Sequence, residues 1–114
     1  MKKNDHTPLG KFKVSGTHIG KRSQYISKYV LWGSKFKLER EPDNKHDENA
    51  IKVLLSVKKG KYFLDIGYLP KDLAKEMAFF MDKGIKLSAS FRVKISNEKT
   101  GKFIALYLNL FAEV

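Results

Sequence analysis

Alternation of hydrophobic and polar positions predicts that most of this chain is β-strand. Residues 11–15 and 36–41 alternate at the spacing of a half-buried strand, and residues 50–57 are rich in β-branched and apolar side chains. A basic, glycine-containing turn at residues 58–61 joins two of these segments as a hairpin. The predicted strands lie at residues 11–15, 36–41, 50–57, 62–67, 85–96 and 103–111.

The strand predicted at residues 85–96 has one dry and one wet face. Apolar residues occupy every second position from Ile85 to Ile95, and polar residues fill all the positions between them. Because successive side chains of a strand point to opposite faces, we expect Arg92 and Lys94 to point into solvent.

A helix is predicted directly after the fourth strand. Pro70 suits a first helical position, Asp72 favours the positive end of a helix, and Gly84 provides a stop. A second, shorter helical turn is expected within residues 21–32, with Ser23 as its cap. The apolar face of the main helix consists of Leu73, Met77, Phe80 and Met81.

Six strands with one or two helices favour a mostly β fold, a small barrel that closes the edges an open sheet would expose. Trp32 and Phe36 are expected in its core, since a lone tryptophan beside a strand is more often packed than exposed. Residues 1–10 have little apolar content, which predicts a flexible leader before a domain at residues 11–114.

Composition limits the chemistry and the location of the protein. Its 114 residues suffice for one domain with an ordinary core, and it has no cysteine, which excludes disulfides and thiolate catalysis. The first residues are not followed by an apolar segment of signal-peptide length, and no run reaches the roughly 18 apolar residues of a membrane span. We therefore expect a cytoplasmic or nucleoid-associated protein that is neither secreted nor bound to a membrane.

Basic residues outnumber acidic ones by 23 to 12, giving a net charge of +11 that is unevenly distributed. Residues 1–38 contain nine basic side chains and one acidic, whereas residues 39–48 contain two basic and five acidic. A basic shell around one acidic loop is typical of a surface that binds a polyanion and has a specialised pocket. The alternative is a lysine-rich surface that only keeps a small domain soluble.

The acidic loop is dense in metal-binding residue types, but its spacing does not support a metal site. An EF-hand loop beginning at Asp43 would have Glu48 where glycine is required and Leu54 where a bidentate glutamate is required. No other stretch supplies the second cluster that a hydrolytic metal site needs. Asp43 and Asn49 are instead expected to close Asx-turns between two strands. We predict no metal, no cofactor and no catalytic residue.

Two signals at an appropriate separation single out the middle of the chain: a strand that runs into the acidic loop, and a short strand that opens a helix at a proline. They consist of Leu38, Arg40, Glu41, Pro42, Asp43, Asn44, Asp47, Asn49, Ala50, Ile51, Val53, Ile66, Gly67, Tyr68, Leu69, Pro70, Leu73 and Ala74. This pattern resembles the signature of the HIRAN domain family. The resemblance implies an OB-like barrel, DNA binding, and association with a helicase or nuclease partner protein.

The resemblance also implies a site for a DNA end. Asp47 matches an acidic residue that accepts a hydrogen bond from a terminal 3′-hydroxyl; a carboxylate repels a phosphate and so selects a free end. His46 falls where end-binding relatives have a base-stacking aromatic. Tyr68 and Lys71 match positions that contact backbone phosphate, although Tyr68 could equally be core. The candidate DNA-binding residues are Asp47, Tyr68, Lys71, His46, Asn44, His18, Arg22 and Tyr25.

The chain departs from the family pattern at residues 16–19. Relatives that bind a 3′ end have an arginine and two tyrosines after the first strand, and the sequence GTHI supplies none of them. Arg22 and Tyr25 are nearby but displaced along the chain. Either they replace the missing contacts or the base-stacking half of the site is absent.

We predict a DNA-binding domain, not an enzyme, that recognises single-stranded 3′ ends or distorted, exposed DNA ends. The alternative is a module that docks onto a DNA-processing protein partner through Tyr107 and Phe111 on the outer face of the last strand. A third hypothesis, a small metal-dependent nuclease, is disfavoured by the spacing of the acidic loop.

Overall fold

Antiparallel strands make up nearly half of residues 6–113, the part of the chain that the computed structural model describes, and are its main regular structure. The mostly β prediction is confirmed, and every predicted strand is present with shifts of a few residues at its ends. The elements are β1 (His6–Lys13), α1 (Arg22–Tyr29), β2 (Lys35–Arg40), β3 (Ile51–Val57), β4 (Tyr62–Tyr68), α2 (Lys71–Asp82), β5 (Lys86–Ser96) and β6 (Phe103–Glu113).

The six strands form one sheet in the order β1-β6-β5-β2-β3-β4. Its edge strands approach each other at an isolated bridge between Ser15, just after β1, and Tyr68 at the end of β4. The Ser15 N–H donates to the Tyr68 carbonyl at 2.8 Å, and the Tyr68 N–H donates to the Ser15 carbonyl at 2.9 Å. The sheet is therefore OB-like, but one bridge does not make a continuously closed barrel, so the predicted barrel fits only loosely.

Strand β1 starts earlier than the sequence suggests. His6 pairs with Glu113 and Thr7 with Ala112 of β6, five residues before the predicted start of the domain at Lys11. Residues 6–10 therefore belong to the sheet and not to a flexible leader. The rest of the predicted leader, residues 1–5, lies outside the described part of the chain.

The core consists of the inward faces of the strands together with the buried faces of both helices. Ile26 from α1 and its C-cap residue Val30 are fully buried, as is Ala74 from α2. Each buried aliphatic side chain of Val or Ile size stabilises the fold by about 1.5–3 kcal/mol. Phe36 packs against this core as predicted. Trp32 does not: it is 89% exposed, because the turn after α1 projects it away from the sheet, so its predicted core position is wrong.

Both helices begin close to their predicted positions, with different caps. Pro70 is the N-cap of α2 and Lys71 its first residue, one position later than predicted, and Lys21, not Ser23, is the N-cap of α1. In α2 the predicted stripe is mostly confirmed, except that Phe80 is exposed. Leu73, Met77 and Met81 pack against the core.

A β-bulge in β5 reverses the predicted faces of its second half. Phe91 and Val93 pair with consecutive residues of β6, which leaves Arg92 as the extra residue. A one-residue insertion moves every later side chain to the opposite face. Val93 and Ile95, predicted to be dry, are each 41% exposed, and Lys94 turns towards α1.

Lys94 satisfies the carboxyl-terminal end of α1 and does not point into solvent as predicted. Its Nζ donates to the carbonyl oxygens of Val30 at 2.8 Å and Ser27 at 3.3 Å. The last carbonyls of a helix lack partners within the helix and concentrate negative potential, so an ammonium group stabilises them.

Candidate nucleic-acid interface

A pocket of about 490 Å³ opens beside the bridge that joins β1 to β4. Three segments surround it: the turn after β1, the acidic loop between β2 and β3, and the junction of β4 with α2. Six of the eight candidate DNA-binding residues line it, and His18 and Tyr25 do not. The lining residues are Ser15, Gly16, Ile19, Arg22, Asn44, His46, Asp47, Ala50, Tyr68, Leu69 and Lys71.

Asn44 organises the acidic loop. Its Oδ1 accepts hydrogen bonds from the backbone N–H groups of His46 at 2.8 Å and Asp47 at 3.0 Å. Its Nδ2 donates to Oε1 of Glu41 at 3.1 Å. The Asx-turns predicted for this loop are present, but Asn44 and Asp47 provide the acceptors where Asp43 and Asn49 were expected to close them.

The Asp47 carboxylate is oriented by one of its two oxygens. Oδ1 accepts a hydrogen bond from the Asn49 N–H at 2.9 Å, and among residues 6–113 no hydrogen-bond partner is present for Oδ2. A carboxylate held in this way retains acceptor capacity for a ligand hydroxyl. His46 is exposed beside it and lines the same pocket.

Tyr68 presents its ring to the pocket while its hydroxyl is already engaged. The hydroxyl donates to Oε1 of Glu41 at 2.7 Å. Burial and this hydrogen bond raise the pKa of Tyr68, so the phenol keeps its proton. Because that proton points at Glu41, the hydroxyl does not supply the donor that a phosphate contact would need.

A network of ion pairs connects the residues at and next to the pocket lining. Arg22 donates to both oxygens of Asp65, at 3.1 and 3.0 Å, and its Nη1 donates to the carbonyl of Gly16 at 3.0 Å. Lys52 lies 2.9 Å from Oε2 of Glu41 and 3.5 Å from Oδ2 of Asp65. All three guanidinium nitrogens of Arg22 therefore donate hydrogen bonds within the protein. The side chain links the turn after β1 to strand β4.

The same network sets the ionisation of its members. Partial burial alone would raise the pKa of Glu41, but hydrogen bonds from Lys52, Tyr68 and Asn44 outweigh it and lower the pKa. The hydrogen bond to Glu41 raises the pKa of Lys52. Two cations flank the Tyr68 ring, with Cζ of Arg22 at 5.3 Å and Nζ of Lys52 at 5.7 Å from its centroid.

Lys71 adds a cation and a helix start to the lining of the pocket. It is exposed and is the first residue of α2, whose N-cap, Pro70, makes no side-chain hydrogen bond to the helix. The first backbone N–H groups of a helix lack partners within the helix and favour an anion. The pocket therefore combines a carboxylate from the acidic loop with donors suited to a phosphate.

Two residues predicted to bind DNA, His18 and Tyr25, do not line the pocket, and one residue that was not predicted does. The His18 ring lies 6.0 Å from the Phe103 ring, and Tyr25 packs against the core, so neither lines the pocket. Ile19, which was not a candidate, lines it and is 64% exposed. No sequence signal marks an isolated isoleucine in a turn as a contact residue, because it has neither charge nor a hydrogen-bonding group.

The other candidate surfaces are less distinctive. Tyr107 and Phe111 on β6 are each half-buried.

Within residues 6–113, no group of three His, Asp or Glu side chains is arranged to hold a metal ion. No helix in this range is long and apolar enough to cross a membrane.

The fold and the pocket define a small OB-like domain with a polar site at the junction of its edge strands. The sequence profile of the HIRAN domain matches residues 11–113, and the chain therefore belongs to the HIRAN domain family. The predicted resemblance is confirmed. No match was found among curated proteins.

Solved structures show the same fold. A protein from Lactobacillus plantarum is similar with a TM-score of 0.75 and 21% identity, over 97% of this chain and 98% of that chain. The crystal structure of the HIRAN domain of human HLTF is similar with a TM-score of 0.58 and 22% identity, over 94% of this chain and 79% of that chain. At these identities the similarity establishes the fold alone.

Proposed function

We propose that this domain binds DNA and that the pocket receives the 3′ end of a strand. The observation that supports this most directly is the pairing, in one pocket, of Asp47 with Lys71 at the start of α2. A terminal nucleotide presents a hydroxyl and, one linkage away, a phosphate. A carboxylate accepts from the hydroxyl, whereas an ammonium group and free helix N–H groups bind the phosphate.

Charge supports a polyanionic ligand. The chain has a net charge of +11, and membership of the HIRAN family, with the resemblance described above, is consistent with DNA as that ligand. Phosphate contacts to single strands release counterions, so affinity falls with salt at a slope of about −0.7 per contact. A helicase or nuclease partner, which the resemblance also implies, is proposed on the same basis.

The pocket favours end recognition with little preference for the terminal base. Ile19 supplies the exposed apolar contact, since Ala50 and Leu69 are buried in the pocket lining, and His46 is the exposed ring beside Asp47. None of these is a bidentate reader of a base edge. The base therefore contributes stacking and apolar burial, and the hydroxyl and phosphate contribute the selectivity.

Binding of oligonucleotides that differ only at the 3′ end tests this proposal. We expect a free 3′-hydroxyl to bind about ten-fold or more tighter than a 3′-phosphate, because hydrogen bonds to charged groups are worth about 1.5–3 kcal/mol. Asp47→Asn should abolish that preference, whereas Asp43→Asn, in the same loop but outside the pocket, should keep it. Equal binding of both ends by the unmodified protein would refute end recognition.

The phosphate side of the pocket is tested by Lys71→Gln. This change should weaken binding of every end and reduce the salt slope by about 0.7, as expected for one lost contact. Lys75→Gln, one helical turn later and also exposed, is the matched control. Equal effects of the two substitutions would show that Lys71 contributes only to the general field of the protein.

A further inference from the structure

The outer face of β2, β3 and β4 leads away from the pocket in a continuous row. Lys52 pairs with Tyr68 at the pocket, and Ser56 pairs with Phe63 at the far end. Lys52 and Ser56 are four residues apart on one face of β3, a distance of about 13 Å at 3.3 Å per residue. A strand of DNA that leaves the pocket in this direction would therefore pass over these side chains.

A groove of about 450 Å³ lies at the far end of this row. It is formed where the turn after α1 meets the β3–β4 turn, and no carboxylate lines it. Two ammonium groups, two hydroxyl groups and exposed backbone are the donors that a phosphate group accepts from. The lining residues are Gly33, Ser34, Lys35, Ser56, Lys59 and Gly60.

Beside the groove, at the far end of the row, a cation lies next to an exposed ring. Phe63 is 45% exposed, and Nζ of Lys37 is 5.3 Å from its ring centroid. An exposed aromatic face next to an ammonium group suits the base and the phosphate of one nucleotide. Three carboxylates lie on or beside this face: Asp65 is paired with Arg22 and Lys52, Glu41 is paired with Lys52, and Glu39 is exposed.

The β3–β4 turn holds two lysines in a backbone conformation that lysine rarely adopts. Lys58 has φ of 52° and Lys59 has φ of 57°, both in the left-handed region. Glycine, asparagine or aspartate would adopt this conformation with less strain. A tight hairpin turn requires this conformation, and the lysines place two ammonium groups at the turn where residues with less backbone strain would carry no charge or a negative one.

We propose that this outer face is a second DNA contact, which binds the backbone of the strand whose end occupies the pocket. The groove at Lys35 and Lys59 would hold a phosphate about four nucleotides from the pocket, at a stacked spacing of 3.4 Å per nucleotide. This inference rests on the proposed function, because the pocket sets the position of the end. The contact is independent of base sequence.

The test compares oligonucleotides of about two nucleotides, too short to reach the groove, and about twelve nucleotides, both with a free 3′-hydroxyl. The unmodified protein should bind the longer one tighter, and the Lys35→Gln/Lys59→Asn variant should lose that gain and reduce its salt slope on the longer one by about 0.7, as expected for one lost phosphate contact. The matched control is Lys99→Gln/Lys102→Gln, which removes two exposed lysines from the β5–β6 turn. Equal length dependence and salt slope in the two variants would overturn the proposal.

Two further measurements are needed. One distinguishes a lost DNA contact from a loss of folding, and the other distinguishes the second contact from the proposed end site. Asparagine tolerates the left-handed conformation at residue 59, so Lys59→Asn should not lower Tm, and reduced affinity then reflects the lost charge. Asp47→Asn should lose the preference for a 3′-hydroxyl while the gain with length persists. If the unmodified protein shows no end preference but Lys35→Gln/Lys59→Asn removes the gain with length, the proposed end site fails and the second contact stands.

Discussion

Gly67 approaches Ser15 so closely that a Cβ added to Gly67 would collide with the Ser15 carbonyl oxygen. The added Cβ would also lie 2.7 Å from Cγ1 of Val14. In addition, the φ of Gly67 is 140°, which other residues rarely adopt. The contact adjoins the bridge between Ser15 and Tyr68 that joins the two edge strands beside the pocket. Glycine is therefore required for the edges to meet.

Gly67→Ala should lower the free energy of unfolding by about 2 kcal/mol or more, since it adds a collision with backbone to an unfavourable φ. Gly84→Ala is the matched control: its φ is 90°, and no atom lies within 4 Å of the added Cβ. The control should cost about 1–2 kcal/mol from backbone strain alone. Urea unfolding measures both, and a smaller loss at Gly67 than at Gly84 would contradict the close approach.

Tyr68→Phe should lower stability by about 1 kcal/mol, the usual net value of one hydrogen bond, because Glu41 loses the donor at 2.7 Å. DNA affinity should change less than three-fold, since the hydroxyl proton is already committed to Glu41. Tyr68→Ala, which removes the ring as well, should weaken binding more. A ten-fold loss of affinity in Tyr68→Phe would show that the hydroxyl contacts DNA.

Acid should destabilise the fold partly through Glu41. Its pKa is lowered below the ordinary 4.5, so its contribution is fully present above pH 4.5 and is lost as the pH falls through the lower folded value. The pKa of Lys52 is raised above the ordinary 10.5, so its contribution is fully present below pH 10.5 and is lost as the pH rises through the higher folded value. Glu41→Gln should flatten the acid limb of a stability–pH curve measured by urea unfolding, and an unchanged limb would exclude Glu41 from it.

Arg22 and Asp65 should be energetically coupled. The Arg22 side chain is 13% exposed and the Asp65 side chain 36% exposed, and the pair is bidentate. A double-mutant cycle with Arg22→Lys and Asp65→Asn should give about 1 kcal/mol of interaction energy. Arg22→Lys keeps the charge but loses the forked geometry, so a cycle near zero would mean that charge alone matters.

Lys94→Met should destabilise the domain by about 1 kcal/mol, because the last carbonyls of α1 lose their cation. Lys86→Met, at an exposed position of the same strand, should change stability by less than about 0.5 kcal/mol. Neither change should alter DNA affinity at the pocket. Equal stability of the two variants would show that the Lys94 contacts contribute nothing net.

The fold was predictable where the signals are local. Alternation marks strands, and Pro70, Asp72 and Gly84 mark the ends of α2, because these effects act within one or two turns of the chain. The faces of β5 were not predictable beyond Phe91, since the bulge at Arg92 is set by pairing with β6. The same limit applies to Trp32, whose exposure depends on how the turn after α1 meets the sheet.

The family, the six strands and the part of the pocket that the acidic loop and the start of α2 supply follow from local patterns in the chain. Asp47 lies in the acidic loop and Lys71 follows the proline before α2, and the resemblance to the HIRAN family indicates both as candidate contact residues. Tertiary structure alone decided that Ile19 joins the pocket and that Arg22 is held by Asp65. It also decided that Lys52 lies beside Tyr68. These contacts join residues far apart in the chain, and a shift of one residue in strand register would remove them.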